Sequence, residues 1–499
     1  MRRSYSSLLA LFLLFAVVAF TACTEMENRK VGSESGSNNT TVGKISPTTA
    51  SPEALQEFLA GRDKAERLLI QDSIQHFDKA IALDPNFALA ELSRANSSQT
   101  AKEFFDHLKK AVALSDKASE GERLLILGTE AGANADTTKQ KELLEKLVAA
   151  YPNDERARFT LGGYYFGQQD FDTAILHYRK ATELAPNYSP AYNILGYALR
   201  QKENYSEAEA AFKKYTELIP NDPNPYDSLA ELFLKMGRFD EAIAQYKKAL
   251  SLDSNFMNSH QGIAAALAYQ GKPDEAVAEL NKITAKARGD ADRRTALFAL
   301  TVVAIDSGKL DQAVAEADKQ YALGEKTSDI PNMAGDLQLK ANILMEMGKY
   351  DEAKLAFERS VKLTNDSNLS QEIKSNAALV LHDNLARVAL GKKDVATAKK
   401  ETEEFRKGAE QQKNSLLIKQ AHELNGMIAL AEKNYGEAIA QLQQSNLQDP
   451  YNLFRLGEAH QGKGDAARAK EFYGKAARFN SLPLLNYAFV RTRATKLAV

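Results

Sequence analysis

Seven histidines, one cysteine and a single Gly-Glu-Lys-Thr string are the places where this 499-residue chain could carry chemistry. A helical zinc site needs two histidines four residues apart on one face, and His422-Glu423 has no second histidine at that spacing. His260, His382 and His422 instead occupy one recurring place in the helical pattern that fills the chain, and His76, His107 and His177 occupy others. Gly324-Glu325-Lys326-Thr327 has the lysine and threonine of a phosphate-binding loop but neither its glycine spacing nor a preceding apolar strand. No Gly-x-Ser-x-Gly elbow occurs to raise a nucleophilic serine. Acidic pairs such as Asp240-Glu241 stand near Lys247 and Lys248, the pattern of a solvated helix face rather than of an acid and base in a cleft. These residues predict no metal, no cofactor and no enzyme.

The elements that must hold these residues start with an address. Arg2 and Arg3 precede an unbroken apolar run from Leu8 to Phe20, which ends at Thr21, Ala22 and Cys23. A basic start, a short apolar stretch and small residues before a break are the parts of a secretory signal, and the run is too short to span a bilayer comfortably. With the only cysteine directly after Thr21 and Ala22, the segment resembles a bacterial lipoprotein signal. The resemblance implies that residues 1–22 are removed and that Cys23 is lipidated and becomes the mature N-terminus. It places the protein in the bacterial cell envelope. Because Thr24 is not Asp, it favours the outer membrane, facing the periplasm, in a source with two membranes. Two or three acyl chains anchor stably where one does not. Residues 23–53 are then a flexible tether, since the Ser, Thr, Asn and Gly that fill them bury too little surface to offset the entropy of ordering.

With 64 Lys and Arg against 66 Asp and Glu, the net charge of -2 supplies no field to draw nucleic acid, and one cysteine allows no internal disulfide. The rest of the chain repeats. Leu161, Gly162, Tyr165, Ala174, Tyr178, Ala181 and Pro186 recur 34 residues later as Leu195, Gly196, Leu199, Ala208, Phe212, Tyr215 and Pro220, and again as Leu229, Ala230, Phe233, Ala242, Tyr246 and Ala249. Apolar spacings of three and four, broken at Met236-Gly237-Arg238-Phe239-Asp240 and at Pro-Asn pairs, predict two amphipathic helices per unit. Small residues mark close helix contacts, and the prolines end each second helix because they lack an amide proton. The pattern resembles the tetratricopeptide repeat.

About twelve units begin near Ala54, Ala88, Gly121, Glu155, Ser189, Pro223, Met257, Arg294, Ala334, Leu379, Lys419 and Pro450. Spacing widens after Met257, which predicts longer helices or loops there and divides the array into residues 54–290 and 291–480, with polar Lys286 to Asp292 as a candidate hinge. Residues 481–499, with Leu484, Leu485, Tyr487, Phe489 and Val490 before Arg491, Arg493 and Lys496, form a capping helix, because an open stack must cover its last apolar face. The resemblance implies an all-α fold, a right-handed α-solenoid superhelix whose concave face is lined by first helices.

Positions two, five, nine and twelve of a unit commonly face that groove in the family. Carried onto this chain they are Arg156, Phe159, Asn193, Tyr197, Arg200, Asp227, Glu231, Gln261, Gln338 and Asn342. Their mixture of amides, rings and both charges suits an extended peptide. Asn342 and Asn384 echo only part of the carboxylate clamp of some family members, so no clamp is assigned. The reading is a membrane-anchored scaffold or adaptor that binds a protein or peptide of the cell envelope. The alternative is a SusD-like lipoprotein that binds oligosaccharide or peptide nutrients, although no Trp is present to stack on sugars.

Overall fold

A computed structural model describes residues 43–499 other than Arg288 and Pro483. The expected signal segment and Cys23 lie outside the described residues. Those described fall into two compact units, 43–98 with 103–228, and 229–499 with 99–102.

The helices of the first part are α1 (Pro52–Glu66), α2 (Ile70–Leu83), α3 (Ala88–Asn96), α4 (Ala101–Leu114), α5 (Glu120–Ala133), α6 (Thr137–Ala150), α7 (Glu155–Gly167), α8 (Phe171–Leu184), α9 (Ser189–Gln201), α10 (Tyr205–Leu218) and α11 (Pro223–Lys235). There follow α12 (Phe239–Leu252), α13 (Met257–Tyr269), α14 (Pro273–Lys286), α15 (Asp290–Asp306), α16 (Leu310–Thr327), α17 (Ile330–Glu346), α18 (Tyr350–Asn365) and α19 (Gln371–Gly391). The chain closes with α20 (Val395–Gln411), α21 (Ser415–Ala431), α22 (Tyr435–Gln444), α23 (Pro450–Gly462), α24 (Ala466–Ala477) and α25 (Leu485–Leu497). Among the described residues these are twelve successive pairs and one further α-helix, all-α as expected. Each odd-numbered helix from α1 to α23 opens a unit at its expected start or up to eight residues before it.

Local sequence makes each pair. The turn between α7 and α8 passes through Gln169 in the left-handed region, after which the Asp170 side chain accepts from Thr173 N and caps α8. The small residues receive rings. A Cβ on Gly162 would stand 2.8 Å from the Tyr178 ring and one on Gly196 would stand 2.7 Å from Phe212, so an aromatic of the second helix lies on the bare Cα of the first. Around these contacts Phe159 packs with Tyr178 and Tyr188, ring centroids 5.6 Å apart in each case.

The wider spacing after Met257 appears as helix. α7, α9, α11 and α13 have 13 residues each, whereas α15, α17 and α21 have 17 and α19 has 21. The compact units divide at 228, within α11.

The two ends of the described chain differ from expectation. The tether was expected to run structureless to residue 53, but Lys44 to Ser51 lie along the first unit, held by an ion pair and by backbone amides that donate to side-chain carboxylates. Specific acceptors offset the ordering entropy that composition alone could not. The terminal helix is also more than a cap. α25 packs on α24 and also on α15 and α23, and its Leu485, Ala488, Phe489 and Val490 share a core with Phe298, Val302, Leu339, Ile343 and Phe454. Arg491 grips Asp306 through Nε and Nη2, both 2.5 Å, and Arg493 reaches Glu346 at 3.2 Å.

Candidate binding face

Each unit turns one stripe of its first helix toward its own second helix, and positions two, five and nine lie between that stripe and the neighbouring first helices. In the first compact unit this places Arg156 and Phe159 on α7, Asn193, Tyr197 and Arg200 on α9, and Asp227 on α11. Phe159 is 2% exposed and belongs to the aromatic core between helices. The Tyr197 hydroxyl donates to Ser228 Oγ across 3.2 Å, which joins α9 to α11. The Arg200 guanidinium lies 4.7 Å from the centroid of the Tyr197 ring, a cation–π contact that holds the arginine along the face.

The row continues to the end of α1. Arg156 is ion-paired with Glu155 at 3.3 Å. Burial lifts the Glu66 carboxyl well above the ordinary carboxylate range, although Arg156 and Arg62 oppose that shift. Three buried atoms, Glu66 Oε1, Tyr188 Oη and Asn193 Oδ1, have no hydrogen-bond partner among the described residues. Buried polar atoms are normally satisfied, so such a group marks a place that a ligand would complete.

The second compact unit holds Glu231 on α11, Gln261 on α13, and Gln338 and Asn342 on α17. Here the amides join protein to protein. Gln261 Nε2 donates to Thr295 O at 3.0 Å, Gln338 Nε2 to Ser360 Oγ at 3.1 Å, and Asn342 Nδ2 to Gln338 O at 2.8 Å. Glu231 is buried.

Sequence reasoning passed over a charged ladder in that unit. Glu423 on α21 accepts from Arg387 Nη2 of α19 at 2.9 Å and from Arg455 Nη1 of α23 at 2.8 Å, while Arg387 Nε also donates to Asp383 at 2.9 Å. Burial works against the charge on Glu423, but the two guanidiniums outweigh it and hold the carboxyl well below its ordinary range. Asp383 and Glu423 are at position five of the units begun at Leu379 and Lys419, and Arg387 is at position nine, so the rule that named the other groove residues reaches these as well.

The histidines are scaffold pairs. His260 meets Glu279 at 2.5 Å, His382 meets Glu401 at 2.6 Å and His422 meets Gln441 at 2.7 Å, each from a first helix to the second helix 19 residues on. His177 stacks on Tyr165 at 5.6 Å.

Family models described as tetratricopeptide repeat match residues 127–189, 165–232, 233–300, 337–367 and 450–481. The chain therefore carries tetratricopeptide repeats, whose fold serves in general as a scaffold for binding other proteins or peptides. It is similar in structure to a tetratricopeptide repeat protein from Parabacteroides merdae, at 14% identity and a TM-score of 0.36, over 52% of this chain and 98% of that one. It is also similar to yeast Tom70, at 16% identity and a TM-score of 0.46, over 75% and 89% of the two chains. A third similar structure is MamA, at 27% identity and a TM-score of 0.29, over 32% and 97%. No curated protein matches the sequence significantly.

Proposed function

We propose, from the tetratricopeptide repeats that this chain carries, that it is a lipid-anchored scaffold of the bacterial envelope that captures another protein, or an extended segment of one, on the first-helix face of its N-terminal unit. The observation that carries this reading is the pair of buried acceptors without a hydrogen-bond partner, Tyr188 Oη and Asn193 Oδ1, with Arg156 and Glu66 near Tyr188. An extended backbone presents amide protons at regular intervals and would satisfy such acceptors, while Arg156 and Arg200 would receive carbonyls or acidic side chains. The second unit also holds buried acceptors without a hydrogen-bond partner, at Gln338 Oε1 and Asp383 Oδ1, but its amide donors already join one helix to the next. The nutrient-binding alternative has no observation in its favour.

The test is crosslinking in cells with the tagged full-length protein, followed by mass spectrometry, against the double variant Arg156→Glu, Arg200→Glu. Reproducible partners that disappear in a variant with parental helicity and melting support the reading. Partners retained in full would place capture elsewhere on the chain. Anchoring has its own test. Cys23→Ser is expected to leave an unprocessed or soluble species, and a variant that fractionates with membranes at the parental mature mass would remove the lipid from the proposal.

A further inference from the structure

The segment that was expected to be slack is bound as a ligand would be. Between Gly43 and Ala50 the residues Ser46, Thr48 and Ala50 are exposed, while Ile45, Pro47 and Thr49 are half-buried, the alternation of an extended strand lying on a surface. It crosses the turns that open three successive first helices, running from α7 back past α5 to α3. At each turn a carboxylate divides its two oxygens. Asp154 caps α7 through Oδ1, which accepts from Arg156 N and Ala157 N, and its Oδ2 accepts from Ile45 N at 2.9 Å. Glu122 accepts from Ser119 N through Oε2, completing the α5 capping box, and from Thr48 N through Oε1 at 2.7 Å. Asp84 accepts from Asn86 N through Oδ1 and from the Thr49 hydroxyl through Oδ2 at 2.6 Å.

Two side chains add selectivity. Lys44 Nζ lies 2.8 Å from Glu155 Oε2, and Glu155 is buried. Ile45 packs against the cluster of Leu144, Leu147, Val148, Ala157 and Leu161. The seat for Ile45 depends on a missing side chain, because a Cβ on Gly121 would meet Ile45 Cγ1 and the Tyr151 ring, each at 2.9 Å. Main-chain amides received at spaced acceptors, one cation and one aliphatic side chain in its own seat make up a peptide-recognition site.

We propose that this edge of the N-terminal unit is a docking site for an extended segment bearing Lys or Arg directly before Ile or Val, and that residues 44–51 are its resident occupant. A partner segment of that chemistry binds by displacing the strap. The site adjoins the first-helix face at Glu155, whose Oε1 pairs with Arg156 while its Oε2 pairs with Lys44. A short tether gives the strap an effective concentration on the order of millimolar, so the parent chain resists a free peptide and a chain with its strap disabled does not.

The probe is a fluorescein-labelled peptide of residues 43–51, titrated by anisotropy into the full chain and into the full chain carrying Lys44→Glu, Ile45→Asp. The opened chain is expected to bind at least about tenfold more tightly than the parent, and a peptide with Asp for Ile is expected to bind neither. Adding Glu155→Lys to the opened chain should abolish binding of the parental peptide and restore it for one carrying Glu in place of Lys. No saturable binding to an opened chain of parental helicity and melting overturns the proposal, as does equal affinity for both chains. Should the opened chain melt early, hydrogen exchange on the parent decides. Excess peptide should strip protection from the Ile45 and Thr48 amides, and unchanged protection means that the strap is a fixed part of the fold.

Discussion

The ladder from Arg387 through Glu423 to Arg455 shows how strongly single side chains are committed here. Glu423 accepts from both arginines and from Asn452 Nδ2 at 2.9 Å, so its removal leaves two guanidiniums facing each other in a buried setting. Breaking a buried pair from one side costs about 3 to 5 kcal/mol, and Glu423→Gln is expected to lower the unfolding free energy by about that much in urea titration. The pH dependence has a definite sign. Because the folded state holds the Glu423 carboxyl below its ordinary value of 4.5, its contribution is full above that pH and is lost as pH falls below it. The parent should lose stability more steeply than Glu423→Gln between about pH 5 and pH 3, and parallel slopes would count against the pairing. These residues were legible by position, since Asp383 and Glu423 fall where the repeat register predicts a groove residue. Which side chains such positions meet was not legible. Gln338 and Arg200 occupy positions of the same stripe, yet one bonds a neighbouring serine and the other covers a ring, because partner geometry depends on three helices at once.

Helix boundaries were written locally, and the sequence placed most of them well. Glu155, Ser189, Pro223, Met257 and Pro450 open helices at the residues where units were expected to begin. Misplacements cluster at α15, α17, α19 and α21, each of which opens four to eight residues ahead of the repeat landmark that was taken as its start. Turns within pairs repeat one backbone device, a single left-handed residue before the next N-cap. Glycine fills it at Gly237 and Gly271, but Glu203 and Lys433 fill it elsewhere with φ of 59° and 60°. An L-residue in that conformation carries about 1 to 2 kcal/mol of steric cost, partly offset on substitution by the greater unfolded-state freedom of glycine. Glu203→Gly and Lys433→Gly should therefore each stabilise by about 0.5 to 1 kcal/mol in thermal or chemical unfolding. A decrease would mean that these side chains contribute contacts that outweigh the backbone.

The two terminal segments of the described chain lie outside its repeat units and turn inward against it. Composition describes what a segment can do alone, and neither the strap nor α25 is alone. Its neighbours are far away in sequence, as with Arg491 and Asp306, 185 residues apart. A terminal cap and an internal core helix make different claims about where the second unit is weak. If α25 only covered the last pair, ending the chain after Arg478 would loosen α23 and α24 and leave earlier helices as they were. Its apolar residues share a core with Phe298 and Val302 of α15 and with Leu339 and Ile343 of α17. Truncation should thus expose these side chains and strand the buried Asp306 carboxylate without its guanidinium. Hydrogen exchange is expected to accelerate in α15 and α17 as much as in α23 and α24. The point variant Arg491→Met separates the two contributions, since it keeps the apolar helix and removes only the charge. It should cost about 3 kcal/mol or more, most of which the added change Asp306→Leu should return, because an apolar pair of similar volume has no desolvation penalty to offset. Acceleration confined to α23 and α24, with no recovery in the double variant, would reduce α25 to the cap that its sequence position implies.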